Sequence, residues 1–304
     1  MVYQTNKLNI AYERAIDSHL RHGEKWGVPT HILRHDIVEA GYFNKPAYLL
    51  GMLISEMAKP FGKRADWIVW FDADTICLNH AVPWTLFLPP PGFEEIHFLG
   101  TKDQNGFNAG MFMIRVHEWS VKAMSEVIAL RQLKPEVKFE FEDQGAIGWV
   151  LNRRGYEEHV LYQPHNWWNA FGLQQAPSKT DLFLLHFAGV DCCGNSESKA
   201  TVMSRWLDKL DVNPDEYYTP LHNMTLPSEI DAYWDSLASA QKTLEEADAW
   251  QAQSRYKGMD LQVTRGQLQK SIFREADDLS RLRSEVASLE NIMTDAESKS
   301  KDAS

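Results

Sequence analysis

The sequence predicts an α/β fold, in which a mixed sheet is flanked by helices and followed by a carboxyl-terminal helical extension. Two observations indicate this class. Up to about residue 220, short apolar runs alternate with segments of helical spacing, which is the pattern of βαβ units. Beyond that point Gly and Pro become rare, while Ala, Glu, Asp, Gln, Ser and Leu dominate. We therefore expect an α/β domain over residues 1–220 and a helical extension over residues 221–304.

Four segments of the α/β part have helical spacing: Ile10–Trp26, Phe43–Ala58, Glu118–Leu133 and Asp143–Asn152. Five short apolar runs are expected to form strands: Trp67–Asp74, Ile96–Gly100, Gly110–Val116, His159–Gln163 and Asp181–Ala188. The first of these runs is nearly all apolar, which favours a strand buried on both faces, as in a parallel sheet. Ligands of such sheets bind at the carboxyl ends of the strands, so functional side chains are expected at the ends of the first and last runs.

The extension carries a stripe of apolar residues at spacings of three and four: Ile272, Leu279, Leu282, Val286, Leu289 and Met293. Such a stripe predicts either a short coiled coil or a helix that packs on its own core. The stripe is only about three heptads long, which is too short to decide between these two structures. A coiled coil would join two copies of the chain as a homodimer. The last ten residues, rich in Ser, Lys and Asp, are expected to be disordered.

Composition and charge limit the class of partner. The formal net charge of −11 over 304 residues argues against binding to nucleic acid or to an anionic membrane. Only Cys77, Cys192 and Cys193 are cysteines, which excludes a disulfide-rich small fold. The longest apolar run, Ala47–Ile54, is far shorter than the roughly 20 residues needed to cross a bilayer. Met1–Ile10 lacks the apolar core of a signal peptide.

Two carboxylates, Asp72 and Asp74, follow the most apolar strand candidate. Residues two apart in a strand face the same side, and two unpaired carboxylates at a buried strand end are costly. A divalent cation removes that cost, and oxygen ligands suit Mg²⁺ or Mn²⁺. The alternative is an acidic turn capped by Thr75 and Asn79.

A histidine, His186, ends the last strand candidate and precedes a loop that contains Gly189. An imidazole at the same sheet edge would be a third ligand, and it suits Mn²⁺ better than Mg²⁺. Taken alone, a histidine at a strand end is more often an ordinary hydrogen-bonded residue.

A second acidic segment, Asp143 followed by Gln144, opens a predicted helix. Asp143 can simply cap that helix, whose amino terminus favours negative charge. The functional alternative is that the carboxylate and the amide face a positive charge that develops on a substrate.

Two further segments allow a structural and a functional interpretation. The loop from Asp103 to Gly110 contains two glycines, which permit close backbone approach, and the amides of Asn105 and Asn108. It could equally be an ordinary turn. The aromatic run Trp167–Phe171 could stack against a sugar ring or lie in the core.

Taken together, these segments resemble glycosyltransferase family 34, the galactosyltransferase and mannosyltransferase family of fungi and plants. The resemblance runs from about Asn9 to Trp206 and rests on a set of ordered motifs: Trp70–Asp74, Asn105–Arg115, Trp119–Ser120, Asp143–Gln144, Asn169–Ala170 and His186–Gly189. It implies a GT-A fold related to the Rossmann fold and transfer with retention at the anomeric carbon. The donor would be a UDP- or GDP-linked hexose or pentose, the cofactor Mn²⁺ or Mg²⁺, and the acceptor a hydroxyl of a glycan or a small molecule.

The resemblance also implies roles for individual residues. Asp72 and Asp74 look like the metal-binding pair and His186 like the third ligand. The donor-binding residues would be Lys45, Asp72, Asp103, Asn108, Ala109, Gly110 and Gly189. Asp143 and Gln144 would lie beside the anomeric carbon as catalytic residues, and Trp168 and Asn169 would contact the acceptor.

Three departures from the family pattern stand out. Val190 and Asp191 follow Gly189 where a basic residue is expected, and Lys199 is the proposed substitute for donor binding. The first strand is represented only by Met1–Gln4. Members of the family usually carry an amino-terminal membrane anchor, and the sequence shows no segment of that kind. We therefore expect either a Golgi luminal domain lacking its anchor or a cytoplasmic relative.

Two other functions remain open from the sequence. The segment Phe71–Thr75 also fits the Asp-x-Asp-x-Thr motif of haloacid-dehalogenase-like phosphatases, in which Asp72 would attack phosphorus with Mg²⁺ as cofactor. About 70 residues precede the motif, however, and the later acidic pair Asp277–Asp278 lies in a polar helix. The other alternative is a non-catalytic sugar-nucleotide fold that serves as a scaffold.

Overall fold

The computed structural model describes residues 8–39, 41–133, 136–171, 181–190, 197–254 and 258–302. The helices of these residues are α1 Ile10–Trp26, α2 Asn44–Met57, α3 Glu118–Leu133, α4 Asp143–Leu151, α5 His165–Trp168, α6 Lys199–Val212, α7 Leu226–Ser254, α8 Met259–Arg274 and α9 Leu279–Asp302. The strands are β1 Trp67–Phe71, β2 Thr75–Cys77, β3 Phe98–Asp103, β4 Gly106–Arg115, β5 Val160–Tyr162, β6 Ala170–Phe171 and β7 Leu184–His186. The predicted strand Met1–Gln4 and the pair Cys192–Cys193 lie outside the described residues.

Helix α1 shows why the sequence fixes the element ends so well. Its first N–H groups are capped by the Asn9 side chain, which accepts a hydrogen bond from the Ala11 N–H. At the other end Gly27 adopts the left-handed conformation at φ 65°, and its N–H bonds back to the last turn. Both signals are local, so the predicted bounds agree with the observed ones.

The first sheet has four strands in the order β1-β4-β3-β5. Strands β3 and β4 form a hairpin across a two-residue turn, with Asp103 opposite Gly106 at φ 97°. That tight turn makes the pair antiparallel, and β1 also pairs antiparallel with β4, while β3 and β5 are parallel. The strand that begins at Trp67 was expected to lie in a parallel sheet, and this expectation is wrong: among the described residues its partner is the antiparallel strand β4. An apolar run indicates burial on both faces and not strand direction.

The strand that begins at Trp67 is shorter than predicted, because residues 72–74 form a turn. Strand β1 ends at Phe71, and the Asp72 N–H then donates to the Gly110 carbonyl at 2.8 Å. The Thr75 hydroxyl donates to the Asp72 carbonyl at 2.7 Å and closes the turn. From Thr75 the chain enters a second sheet, of order β2-β7-β6.

The register of this second sheet brings two distant parts of the sequence together. Thr75 lies opposite His186 in the antiparallel pair β2–β7, and the Phe187 N–H donates to the Asp74 carbonyl at 2.9 Å. The acidic turn between the two sheets therefore lies beside the end of β7.

Helices α7, α8 and α9 pack on the α/β part of the same chain. The apolar stripe of the extension belongs to the hydrophobic cluster that also contains core residues of both sheets, with Ile272, Leu282 and Leu289 fully buried. The Tyr233 hydroxyl donates to the Tyr162 carbonyl at 3.1 Å. The other three residues of the stripe, Leu279, Val286 and Met293, are half-buried against the same cluster. The stripe therefore packs within its own fold, and the homodimer stays a prediction.

Two remaining expectations concern the chain end and the membrane. Helix α9 continues to Asp302, through residues for which composition predicts disorder. Ala, Glu and Lys make up half of the last ten residues, and their high helix propensity favours this continuation. Within the described part of the chain, no helix combines the length and apolarity that crossing a bilayer requires.

The buried imidazole of His19 predicts how stability changes with pH. The ring stacks on Phe71 at 3.8 Å, and its Nε2 is hydrogen-bonded to the Thr75 hydroxyl at 2.8 Å. Burial lowers the pKa of His19 to about 3. Because the unfolded chain binds a proton near pH 6.5 and the folded chain does not, the free energy of unfolding falls as pH decreases from about 6.5 towards 3.

The variant His19→Gln keeps a neutral hydrogen-bonding side chain but has no proton to gain. We expect its free energy of unfolding, measured by urea denaturation between pH 7 and pH 5, to fall less steeply than that of the wild type. The difference in slope should approach about 1.4 kcal/mol per pH unit. Equal slopes would show that His19 is not held neutral by the fold.

Candidate active site

A cleft of about 570 Å³ opens where the two sheets meet. Its walls come from α1, α2, the acidic turn, the start of β4, the start of α4, the end of β7 and the start of α6. The residues that line it are Tyr12, Gly41, Tyr42, Asn44, Lys45, Trp70, Asp72, Ala73, Asp74, Asn108, Ala109, Gly110, Phe141, Asp143, Gln144, His186, Ala188, Gly189 and Lys199. Most of the residues predicted from the sequence therefore line one cavity.

One side of the cleft is held together by Lys45. Its Nζ lies 3.0 Å from Asp72 Oδ1 and 3.0 Å from Asp143 Oδ2, and it also donates to the Ala109 carbonyl at 3.0 Å. Burial alone would lower the pKa of Lys45, but Asp143 and Asp72 raise it above the usual lysine value. The Trp70 indole N–H donates to Asp72 Oδ1 at 2.8 Å and fixes that carboxylate further.

The helix start at Asp143 is positioned by an unusual loop. Phe141 and Glu142 have φ angles of 58° and 52°, a conformation that costs non-glycine residues roughly 1–3 kcal/mol each. The loop places Asp143 against Lys45, and Gln144 Oε1 accepts a hydrogen bond from the Ala109 N–H at 2.9 Å. Burial raises the pKa of Asp143 even though Lys45 lowers it. No sequence signal indicates this strained backbone.

The other side of the cleft is organised around Asp74. Lys199 Nζ lies 2.6 Å from Asp74 Oδ2, and His186 Nε2 lies 3.5 Å from Asp74 Oδ1. Burial alone would raise the pKa of Asp74, but the charges and hydrogen bonds of His186 and Lys199 lower it below the usual aspartate value. The carboxylate is therefore ionised in the folded chain.

A buried amide orients the His186 ring. His186 Nδ1 lies 2.9 Å from Asn169 Oδ1, while Asn169 Nδ2 donates to the Thr101 hydroxyl at 2.6 Å and to Asn108 Oδ1 at 3.1 Å. Because an amide oxygen only accepts, the hydrogen bond to Asn169 places a proton on Nδ1. Nε2 is then the ring nitrogen directed at Asp74, which is the orientation of a metal-ligating histidine with its second hydrogen bond in place.

These contacts meet the requirements of a divalent-cation site. Ligand atoms of Asp72, Asp74 and His186 all lie within 4.8 Å of one another. Two carboxylates and an imidazole nitrogen form a donor set that suits Mn²⁺. The residues therefore fit the cation that the sequence predicts.

Two of the predicted site residues do not reach the cleft as expected. Trp168 is fully buried, and its indole N–H donates to Gln163 Oε1 at 2.8 Å. Asn169 is also fully buried and serves His186. Neither side chain lines the cleft, so the acceptor-binding role stays a prediction that this arrangement does not support, and Trp168 lies in the core, the alternative that the sequence left open.

Asp103 also acts from outside the cleft lining. Its two carboxylate oxygens accept hydrogen bonds from the Asn105 N–H at 2.6 Å and from Asn108 Nδ2 at 2.8 Å. It therefore shapes the hairpin turn and orients Asn108.

Two exposed aromatic residues of the cleft, Tyr42 and Phe141, were not predicted from the sequence. Single exposed aromatic residues in loops carry no sequence pattern that marks them.

The structure is similar to that of a glycosyltransferase involved in the glycosylation of the major capsid of PBCV-1, with a TM-score of 0.52 and 15% sequence identity. That alignment covers 68% of this chain and 97% of that chain. The apo-form glycosyltransferase GlyE of Streptococcus pneumoniae TIGR4 aligns with a TM-score of 0.43 and 15% identity, over 70% of this chain and 63% of that chain. The PBCV-1 likeness confirms the predicted fold class, with mixed sheets flanked by helices.

The sequence profile of the galactosyl transferase GMA12/MNN10 family matches residues 92–197, which confirms the predicted resemblance. The protein is therefore a glycosyltransferase enzyme. The matched segment contains β3, β4, α4 and β7, and with them Asn108, Asp143 and His186. Comparison with curated protein sequences gives no match. The family match does not favour the phosphatase alternative.

Gly110 lies so close to the His186 ring that the cleft has no room for a side chain at this position. A Cβ atom there would lie 2.0 Å from His186 Cε1 and 2.7 Å from His186 Nε2. We expect Gly110→Ala to displace the ring, to lower the free energy of unfolding by about 1–3 kcal/mol, and to weaken Mn²⁺ binding about tenfold or more. Urea denaturation and isothermal titration with Mn²⁺ measure the two effects.

Gly51→Ala is the matched control, because no atom lies within 4 Å of a Cβ placed there. It should bind Mn²⁺ as the wild type does. Unchanged Mn²⁺ affinity in Gly110→Ala would contradict a role of the His186 ring in the cation site.

Proposed function

We propose that the protein is a retaining, Mn²⁺-dependent glycosyltransferase that moves a hexose or a pentose from a nucleotide-diphosphate sugar to a hydroxyl acceptor. The observation that carries the proposal is the convergence of Asp72, Asp74 and His186 on the same cleft as Asp143 and Gln144. A haloacid-dehalogenase-like phosphatase would leave His186 and the Asn108 loop, which line the same cleft, without a role.

Donor binding is assigned to the charged and backbone groups along the cleft. The ammonium groups of Lys45 and Lys199 lie beside the carboxylates and attract the negative diphosphate. Ala109 and Gly110 bring the backbone to the cleft wall, with Asn108 held by Asp103 and by the Gly110 N–H at 2.9 Å. Gly189, at φ 67°, allows the loop after β7 to approach a ligand closely.

Asp74 and His186, with Asp72, would hold the divalent cation. When bound, the cation supplies Lewis-acid stabilisation of the charge that builds on the leaving diphosphate. Mg²⁺ is the second candidate, but the imidazole in the donor set favours Mn²⁺.

The anomeric carbon would lie near Gln144 and Asp143 as the sugar gains positive charge. The Gln144 carbonyl oxygen keeps a second lone pair after its bond with the Ala109 N–H, and Asp143 lines the same cleft. Asp143 is only 4% exposed and is paired with Lys45, which makes it a poor nucleophile. We therefore favour attack from the same face as the leaving group, with a phosphate oxygen taking the proton of the acceptor hydroxyl, over a covalent adduct with Asp143.

A screen of UDP- and GDP-linked sugars tests the proposal. Release of the nucleoside diphosphate is measured with Mn²⁺, with Mg²⁺ and with a chelator, first with water and then with simple glycosides as acceptors. We expect turnover of one class of donor that depends on the divalent cation, and a product whose anomeric configuration, read by NMR, matches the donor.

Two results would contradict the proposal. Hydrolysis of an aryl phosphate with Mg²⁺ and no turnover of any nucleotide sugar would favour the phosphatase. Calorimetry that detects binding of neither Mn²⁺ nor a nucleoside diphosphate would favour the scaffold.

The variant Asp74→Asn removes one charge from the cation site. We expect turnover of the donor to fall at least a hundredfold, because loss of Lewis-acid stabilisation costs several kcal/mol. Asp208→Asn is the matched control, since Asp208 lies exposed on α6 and pairs with Arg14 at 2.8 Å. Near-normal turnover in Asp74→Asn would refute the assignment of Asp74 as a cation ligand.

A further inference from the structure

We propose that Lys199 takes the place of the divalent cation at Asp74 in the metal-free protein and moves to the donor diphosphate when cation and donor bind. This inference rests on the proposed function. It assigns Lys199 a second role, as a positioning residue that couples the binding of the two ligands.

The contact that motivates it is the ion pair on Asp74. Lys199 is the first residue of α6, and its Nζ lies 2.6 Å from Asp74 Oδ2. The other carboxylate oxygen faces His186 Nε2 at 3.5 Å. A cation bound between Asp74 and His186 would therefore share the Asp74 carboxylate with the Lys199 ammonium group. The two positive charges would lie close together and repel one another.

The charges of the cleft show why Lys199 would not simply withdraw into water. Among the described residues of the cleft, three carboxylates, from Asp72, Asp74 and Asp143, face two ammonium groups, from Lys45 and Lys199. A divalent cation alone would make this cluster positive, and a nucleotide-diphosphate sugar alone would make it more negative. Cation and diphosphate together leave its charge unchanged, and the ammonium group released from Asp74 then has the diphosphate as its new partner.

Lys45 is a poor candidate for the same exchange. Its Nζ is held by Asp72, Asp143 and the Ala109 carbonyl, and its side chain is 10% exposed. Lys199 has a side chain that is 19% exposed and lines the cleft together with Ala188 and Gly189, where a diphosphate can reach it. The exchange is therefore assigned to Lys199.

The test is the variant Lys199→Met, with Mn²⁺ affinity read from the electron paramagnetic resonance of free Mn²⁺. The titration is done without nucleotide and again with UDP or GDP, whichever the wild type binds. We expect Mn²⁺ alone to bind the variant about tenfold more tightly, because the competing charged hydrogen bond is gone. The factor by which the nucleotide tightens Mn²⁺ binding should fall by about tenfold as well.

Two further variants act as controls, and a third is held as a substitute for Lys199→Met. Lys209→Met removes an equal charge from an exposed position on α6 and should titrate as the wild type does. Lys199→Arg keeps the charge and should retain most of the coupling between nucleotide and Mn²⁺. If Lys199→Met does not fold, as judged by its melting temperature, Lys199→Gln takes its place in the same titrations.

The outcomes separate this inference from the proposed function. Wild-type protein that binds Mn²⁺ and nucleotide, together with a variant whose affinity for Mn²⁺ alone is unchanged or weaker, would overturn the exchange and leave the glycosyltransferase intact. Wild-type protein that binds neither ligand would overturn both. Tighter Mn²⁺ binding with reduced coupling, seen only at position 199, supports the exchange.

Discussion

The ion pairs between three carboxylates and two lysines allow the cleft to exist. Asp72, Asp74 and Asp143 are drawn together by the folding of two sheets and one helix, and without compensation their mutual repulsion and desolvation would be costly. Lys45 and Lys199 provide that compensation from α2 and α6. On one side of the cleft this pairing lowers the pKa of Asp74, so that carboxylate is ionised and available to a cation.

The geometry of this cluster depends on a few close contacts between elements. The turn at Asp72–Asp74 lies between the two sheets because its backbone bonds to Gly110 on one side and to Phe187 on the other. Gly110 leaves room for the His186 ring, and Asn169 sets the ring's orientation. Trp168 and Asn169 are fully buried in the core beneath these contacts, and the core holds the contacts in place.

Much of the architecture can be predicted from the sequence where the signals are local. The caps at Asn9 and Gly27 define α1, and an apolar run followed by two aspartates indicates both β1 and the acidic cluster. Strand direction is different, because the pairing of β1 with β4 is a property of the assembled sheet. The strained residues Phe141 and Glu142 likewise depend on tertiary contacts and leave no mark in the sequence.

The site itself was predictable to the extent that residue chemistry alone determines it. Carboxylate, imidazole and lysine side chains can be picked out of a sequence by their chemistry, and most of the ones that were picked out line one cleft. Trp168 shows the limit, because an aromatic residue suits a sugar site and a core equally well. The apolar stripe of the extension, which spans α8 and α9, was ambiguous in the same way, since a self-packed helix and a coiled coil share one pattern.

The central claim is that a single cation is held between the acidic turn and the end of β7. Anomalous diffraction at the manganese absorption edge, from crystals grown with Mn²⁺ and a nucleoside diphosphate, measures the ion's position directly. The account predicts one strong peak within coordination distance of the Asp74 carboxylate and His186 Nε2. A peak elsewhere in the molecule, or an ordered nucleotide in the cleft with no ion beside Asp74, would contradict it.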